Sequence, residues 1–138
     1  MKLPRILLID DEELVRLTLA QVLRNASFEV EVARDGAEGI KLFSERRADG
    51  VITDIIMPNR EGIETIAELR KIDANVKIIA MSGGNRMGSM DFLVIARKLG
   101  ADEVLKKPFV PKDIVYAASN ILTAIDRGSI AGKAQARP

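Results

Sequence analysis

Short apolar runs rich in branched side chains recur along the chain: RILLI (5–9), EVEVA (29–33), GVIT (50–53), VKIIAM (76–81) and EVLK (103–106). Four of these are continuous or nearly so, the pattern of strands covered on both faces, whereas the second alternates and suits an edge strand. Between them the apolar positions take up helical spacing. In EELVRLTLAQVLRNA (12–26), Leu14, Leu17, Val22 and Leu23 are expected to share one buried face. AEGIKLFSER, EGIETIAELRKI, MDFLVIARKLG and PKDIVYAASNILTAI predict four further helices. Gly100 stands where a helix C-cap glycine belongs, and Pro111 near the start of the last helix, where proline is tolerated. Strand then helix, five times over, predicts an α/β fold: a five-stranded parallel sheet with five helices on both faces, joined by right-handed crossovers. We expect one domain over residues 1–125. The small, polar, Gly-containing segment 126–138 is read as a flexible C-terminal tail.

Composition narrows the chemistry more than the fold. The 138 residues are 47% apolar and 30% charged, with a formal net charge of +1, so no global field draws the chain to nucleic acid or to an anionic membrane. No run approaches the roughly 18 apolar residues of a membrane span. The start, MKLPRILLIDDEE, is too short in its apolar part and too acidic after it for a signal peptide, which points to a cytoplasmic protein. There is no cysteine, so thiol catalysis, disulfides and thiolate metal sites are excluded. There is no histidine either, which excludes Ser-His-Asp hydrolysis, histidine-based zinc sites and phosphohistidine chemistry on this chain. Asp, Glu, Lys, Ser, Thr and Tyr116 remain.

The carboxylates fall at telling places. Asp10 and Asp11 follow the first strand, Asp54 ends the third, Ser82 the fourth and Lys107 the fifth. Ligands of open α/β sheets bind at the carboxyl ends of strands, at a topological switch point. With strand order 2-1-3-4-5, the first and third strands are neighbours there, and Asp10, Asp11 and Asp54 converge. Two unit charges 4 Å apart repel by roughly 4 kcal/mol at an effective dielectric near 20. Lys107 offsets one of three charges, and a divalent cation would cancel the other two. Oxygen donors without His or Cys select a hard ion, and Mg²⁺ commonly uses one or two carboxylates, waters and a substrate phosphate. Each residue taken singly has a plainer reading. Asp10 with Glu13 resembles a capping box, Asp54 could cap a turn before Met57 and Pro58, Ser82 beside two glycines is an ordinary loop residue, and Lys107 could be solvated.

Taken together, the pair DD after the first strand, DIIMP after the third, Ser82 after IIAM, Gly100-Ala101 before the fifth strand and Lys107-Pro108-Phe109 resemble a response-regulator receiver domain, over about residues 4–125. The resemblance implies a flavodoxin-like (βα)5 fold and a single-domain, chemotaxis-type phosphoacceptor of two-component signalling. Asp54 would be the phosphoacceptor. Asp10, Asp11, Asp54 and the backbone carbonyl of Ile56 would hold Mg²⁺. Lys107 would neutralise phosphoryl oxygens, Ser82 would carry the switch, and a cis peptide bond would precede Pro108. The donor would be a histidine kinase or a histidine phosphotransfer protein. A downstream protein target would read the face of the fourth helix, fifth strand and fifth helix, with no nucleic acid or membrane partner. Val104 stands where the family often carries Tyr or Phe, which implies coupling through loop movement or a weaker coupling. The loop after Ser82 is about three residues longer than usual. Apolar Ile56, two residues after Asp54, implies slow hydrolysis of the acyl phosphate and argues against a phosphatase with an acid/base carboxylate there. The rival reading is a receiver-fold binding module that is never phosphorylated.

Overall fold

The computed structural model of the chain describes residues 3–55, 61–83, 89–107 and 109–129. Five strands, β1 (Arg5–Ile9), β2 (Glu29–Ala33), β3 (Gly50–Asp54), β4 (Lys77–Gly83) and β5 (Glu103–Lys107), alternate with five helices. These are α1 (Glu13–Asn25), α2 (Gly36–Glu45), α3 (Glu61–Ile72), α4 (Ser89–Lys98) and α5 (Pro111–Ser129). All pairings are parallel, and the strand order is β2-β1-β3-β4-β5. The expected fold class and order hold. The last helix runs to Ser129, into the segment read as a tail from Asp126.

Strand alternation splits the core into two layers. Leu7, Ile9, Val51 and Ile78 pack with Phe43 of α2, Ile66 and Leu69 of α3 and Ala96 of α4. Ile6, Leu8, Ile52 and Met81 face the other way, onto Leu19, Ala20 and Leu23 of α1 and Ile114, Ala117, Ala118 and Leu122 of α5. That double covering is why β1 and β3 read as unbroken apolar runs. Fully burying side chains of this size stabilises the fold by about 1.5–3 kcal/mol each. The edge strand β2 carries its glutamates because Arg5 on β1 pairs with both Glu29, at 2.8 Å, and Glu31. Charge on an edge also deters pairing with another chain.

One expectation about α1 is wrong. Leu14 and Leu17 are exposed, and the buried stripe is Leu19, Ala20 and Leu23, with Val15 and Val22 partly covered. Nine positions at about 100° each put Leu14 on the opposite side of the helix from Leu23. The apolar residues of α1 thus form two faces, not one.

Among the described residues, two helix ends close through a residue of positive φ. After α4, the amide of Ala101 donates to Ala96 O (3.0 Å) and that of Gly100 to Arg97 O (3.0 Å), with Gly100 at φ +113°. This is the Schellman closure expected of a C-cap glycine. After α1 the same pattern, Phe28 to Leu23 O and Ser27 to Arg24 O, places Ser27 at φ 74°.

Candidate functional site

The order β2-β1-β3 makes β1 the strand from which the chain departs in both directions, so the carboxyl ends of β1 and β3 flank the opening where ligands bind in such sheets. Asp10 immediately follows β1, and its amide still donates to Ala33 O at 3.2 Å as if the strand continued. The helix starts two residues later than a cap at Asp10 would require, which corrects the capping-box reading. The N-cap is Glu12, with no side-chain cap bond, and Asp10 Oδ1 instead accepts from the Glu12 amide at 2.9 Å. Arg16 Nη1 donates to the Asp10 carbonyl at 2.8 Å, pinning the β1–α1 turn from within α1.

Asp54 is the last residue of β3, level with Met81 of β4. The Ile55 amide donates to Met81 O at 2.8 Å, and Thr53 Oγ1 donates to Asp54 O at 3.2 Å. Asp10, Asp11 and Asp54 each offer a carboxylate oxygen within 4.8 Å of the others, Asp10 and Asp54 buried and Asp11 exposed. Lys107, the last residue of β5, reaches across with Nζ 3.4 Å from Asp10 Oδ2 and 3.1 Å from Asp54 Oδ2. Burial alone would lower the Lys107 pKa. The charges of Asp54 and Asp10, and hydrogen bonds to both, outweigh it and raise the pKa above the ordinary lysine value. Ser82 lies buried on β4, one position past Met81 and level with Lys106 of β5.

The predicted residues Asp10, Asp11, Asp54 and Lys107 therefore meet, and Ser82 occupies the neighbouring strand end. Ile56, Pro108 and most of the loop after Ser82 lie outside the described residues. An all-oxygen cluster of three carboxylates, one open to solvent, fits a hard divalent ion such as Mg²⁺. Sequence reasoning missed Arg16, Thr53 and Gly62. Gly62 carries a usable signal, since a glycine in the first turn of a helix forgoes about 1 kcal/mol of propensity and so calls for a steric reason. A hypothetical Cβ on Gly62 would stand 2.2 Å from Ile55 Cα and 2.4 Å from Asp54 O. Beside Lys107, a groove of about 400 Å³ opens between α1 and the β5–α5 junction, lined chiefly by Leu14, Val15, Leu19, Phe109 and Pro111.

Comparison with known proteins agrees with this geometry. The family model of the response regulator receiver domain matches residues 6–119. The chain is 36% identical over 118 residues to the chemotaxis protein CheY of Thermotoga maritima, covering 85% of this chain and 96% of that one. It is 37% identical over 128 residues to the transcriptional regulatory protein PrrA of Mycobacterium tuberculosis, covering 93% of this chain and 53% of PrrA. The chain thus spans about half the length of PrrA and nearly all of CheY. Among solved structures, a CheY-like response regulator receiver domain protein from Methanospirillum hungatei superposes with a TM-score of 0.84 at 27% identity, covering 92% of this chain and 99% of that one. A receiver domain from Clostridium thermocellum does so with a TM-score of 0.82 at 32% identity, covering 90% and 98%. With the fold, the acidic cluster and these likenesses in agreement, the chain belongs to the response regulator receiver domain family.

Proposed function

We propose that this chain accepts a phosphoryl group on Asp54 from a phosphohistidine on a partner, a histidine kinase or phosphotransfer protein, and signals through the changed conformation. The observation that carries this reading is the convergence of three carboxylates, each offering an oxygen within 4.8 Å of the others, beside Lys107 Nζ, which lies 3.1 Å from Asp54 Oδ2 and 3.4 Å from Asp10 Oδ2. A cluster so acidic costs stability and is reasonable where a cation and a phosphoryl group are to be received. An Asp54 carboxylate oxygen attacks phosphorus as the P–N bond to imidazole breaks. The imidazole nitrogen leaves with the electron pair, and an acyl phosphate forms. Mg²⁺, when held by Asp10, Asp11 and Asp54, with the Ile56 carbonyl as a further ligand, supplies positive charge against the phosphoryl oxygens.

Lys107, kept cationic by its two carboxylate partners, supplies a second positive charge opposite the developing one. Ser82, buried on the neighbouring strand β4, would hydrogen-bond a phosphoryl oxygen through its hydroxyl and so carry the switch. Surface formed by α4, β5 and α5 then presents the signal to a protein target. Among the described residues no helix is long and apolar enough to cross a membrane. On the receiver-family likeness alone, we propose that the chain works in the cytoplasm.

The test is exposure to acetyl phosphate with Mg²⁺, read by intact mass. We expect one added phosphoryl group on the wild type, none on Asp54→Asn and none in excess chelator. Absence of uptake by the wild type, from acetyl phosphate and from any phosphohistidine donor, would leave the fold as a binding module.

A further inference from the structure

Helix α3 begins directly against the peptide that follows the acceptor. An added Cβ on Gly62 would lie 2.2 Å from Ile55 Cα, 2.4 Å from Asp54 O and 2.7 Å from Ile55 C. All three are backbone atoms, so no side chain can swing aside to make room. The same peptide is held from two other directions. The Ile55 amide donates to Met81 O on β4 at 2.8 Å, and the Thr53 hydroxyl donates to Asp54 O at 3.2 Å. Ile55 itself is wholly buried in the α2–α3–α4 layer. The carbonyl of Asp54 is therefore wedged between a hydroxyl and the first turn of a helix.

We propose that Gly62 is a positioning residue for the acceptor. Because it has no side chain, α3 closes onto the Asp54–Ile55 peptide and sets where the Asp54 carboxylate stands relative to Asp10, Asp11 and Lys107. Any side chain at position 62 would push the end of β3 away from α3, and the carboxylate would leave the cluster with it. A displacement well under 1 Å matters at such a site, because ligand sets and in-line attack tolerate little misplacement. Thr53 is the second grip on the same carbonyl.

Gly39 on α2 supplies the matched control. A Cβ there would meet Ile9 Cδ1 at 2.4 Å and Cγ1 at 2.9 Å, atoms of a side chain rather than of the backbone, which can change rotamer. Both Gly62→Ala and Gly39→Ala are expected to lower the melting temperature, so loss of stability does not separate them. Two other readouts do. Hydrogen exchange of the Ile55 amide, referred to the Ile52 amide in the middle of β3, should speed by at least about tenfold in Gly62→Ala and stay unchanged in Gly39→Ala. Calorimetric titration with magnesium chloride should show affinity weakened by about tenfold or more in Gly62→Ala only, the size typical when support behind metal ligands is removed. Wild-type exchange and Mg²⁺ affinity in folded Gly62→Ala, or equal losses in both variants, would overturn the proposal.

Should Gly62→Ala not fold, Thr53→Val decides. It keeps the shape and removes the hydroxyl, so faster Ile55 exchange and weaker Mg²⁺ binding support the wedge, and unchanged values of both defeat it. The magnesium readout rests on the proposed function, whereas the exchange readout does not. A wild type that binds no Mg²⁺ would sink the functional reading and leave the exchange result to decide the role of Gly62.

Discussion

Asp11 is the exposed member of the acidic cluster, and it stands outside the pairing of Lys107 with Asp10 and Asp54. In metal-free protein its charge adds repulsion that Lys107 does not directly relieve. Asp11→Asn is therefore expected to raise the urea midpoint of the metal-free chain while weakening Mg²⁺ binding, the usual exchange of stability for function at a charged site. Lys107 behaves in the opposite sense. Removing it leaves two largely buried carboxylates without their cation, and loss of one member of such a pair costs about 3 kcal/mol, the low end of the usual range since Lys107 is partly exposed. We expect Lys107→Met to lower metal-free stability by that order, and the double variant Lys107→Met/Asp54→Asn to recover part of it, as a double-mutant cycle in urea would measure. The pH dependence has a definite sign. The Lys107 pKa is raised in the folded state, so its contribution is fully present below the unfolded lysine value of about 10.4 and is lost as pH rises through the folded value. Across the neutral range that contribution is flat.

At the scale of elements, the ends of two helices carry the same closure with different residues. Ser27 after α1 takes φ 74°, a region in which a side chain costs roughly 1 kcal/mol. Ser27→Gly should thus stabilise the fold by about that amount in chemical denaturation, offset in part by the greater freedom of glycine in the unfolded chain. Gly100 after α4 takes φ +113°, and an added Cβ would meet Arg70 Nε at 2.6 Å. Arg70 donates to the carbonyls of Val76 and Gly100 and pairs with Asp102 at 3.1 Å, while Asp102 accepts from the Ile78 amide at 2.8 Å. Gly100→Ala should therefore cost more than backbone strain alone, above about 1 kcal/mol, because it also disturbs the arginine that joins α3, β4 and the α4–β5 connection.

For the molecule as a whole, the acidic cluster links binding to folding. An ion that binds only the folded state stabilises it by mass action, about 2.7 kcal/mol when present at 100 times its dissociation constant. Melting in millimolar magnesium chloride should accordingly lie above melting in chelator, and Asp11→Asn should shrink that difference. Equal melting curves for the wild type in the two conditions would contradict the metal reading. The cluster exists because the sheet reverses direction at β1, bringing acids from the first and third strands to one opening beside a lysine from the fifth.

Much of this could be read from local chemistry along the chain. RILLI and GVIT, unbroken and branched, signal strands covered on both faces, and alternating EVEVA signals the edge that β2 forms. The lack of His and Cys restricts the donors to oxygen before any coordinates are known. These inferences succeed because periodicity, propensity and donor type act over a few residues. The folded structure was needed wherever a residue's role depends on a distant neighbour. Helical spacing in α1 allows two apolar faces, and only packing against β1 and α5 selects Leu19, Ala20 and Leu23 over Leu14 and Leu17. Asp10 carries a cap signal in DDEE, yet its amide remains in the ladder with Ala33 and its carboxylate turns to Lys107. The contact of Gly62 with the Asp54–Ile55 peptide joins the start of α3 to the end of β3, and hard-sphere contact between two backbones leaves no periodic trace in a sequence.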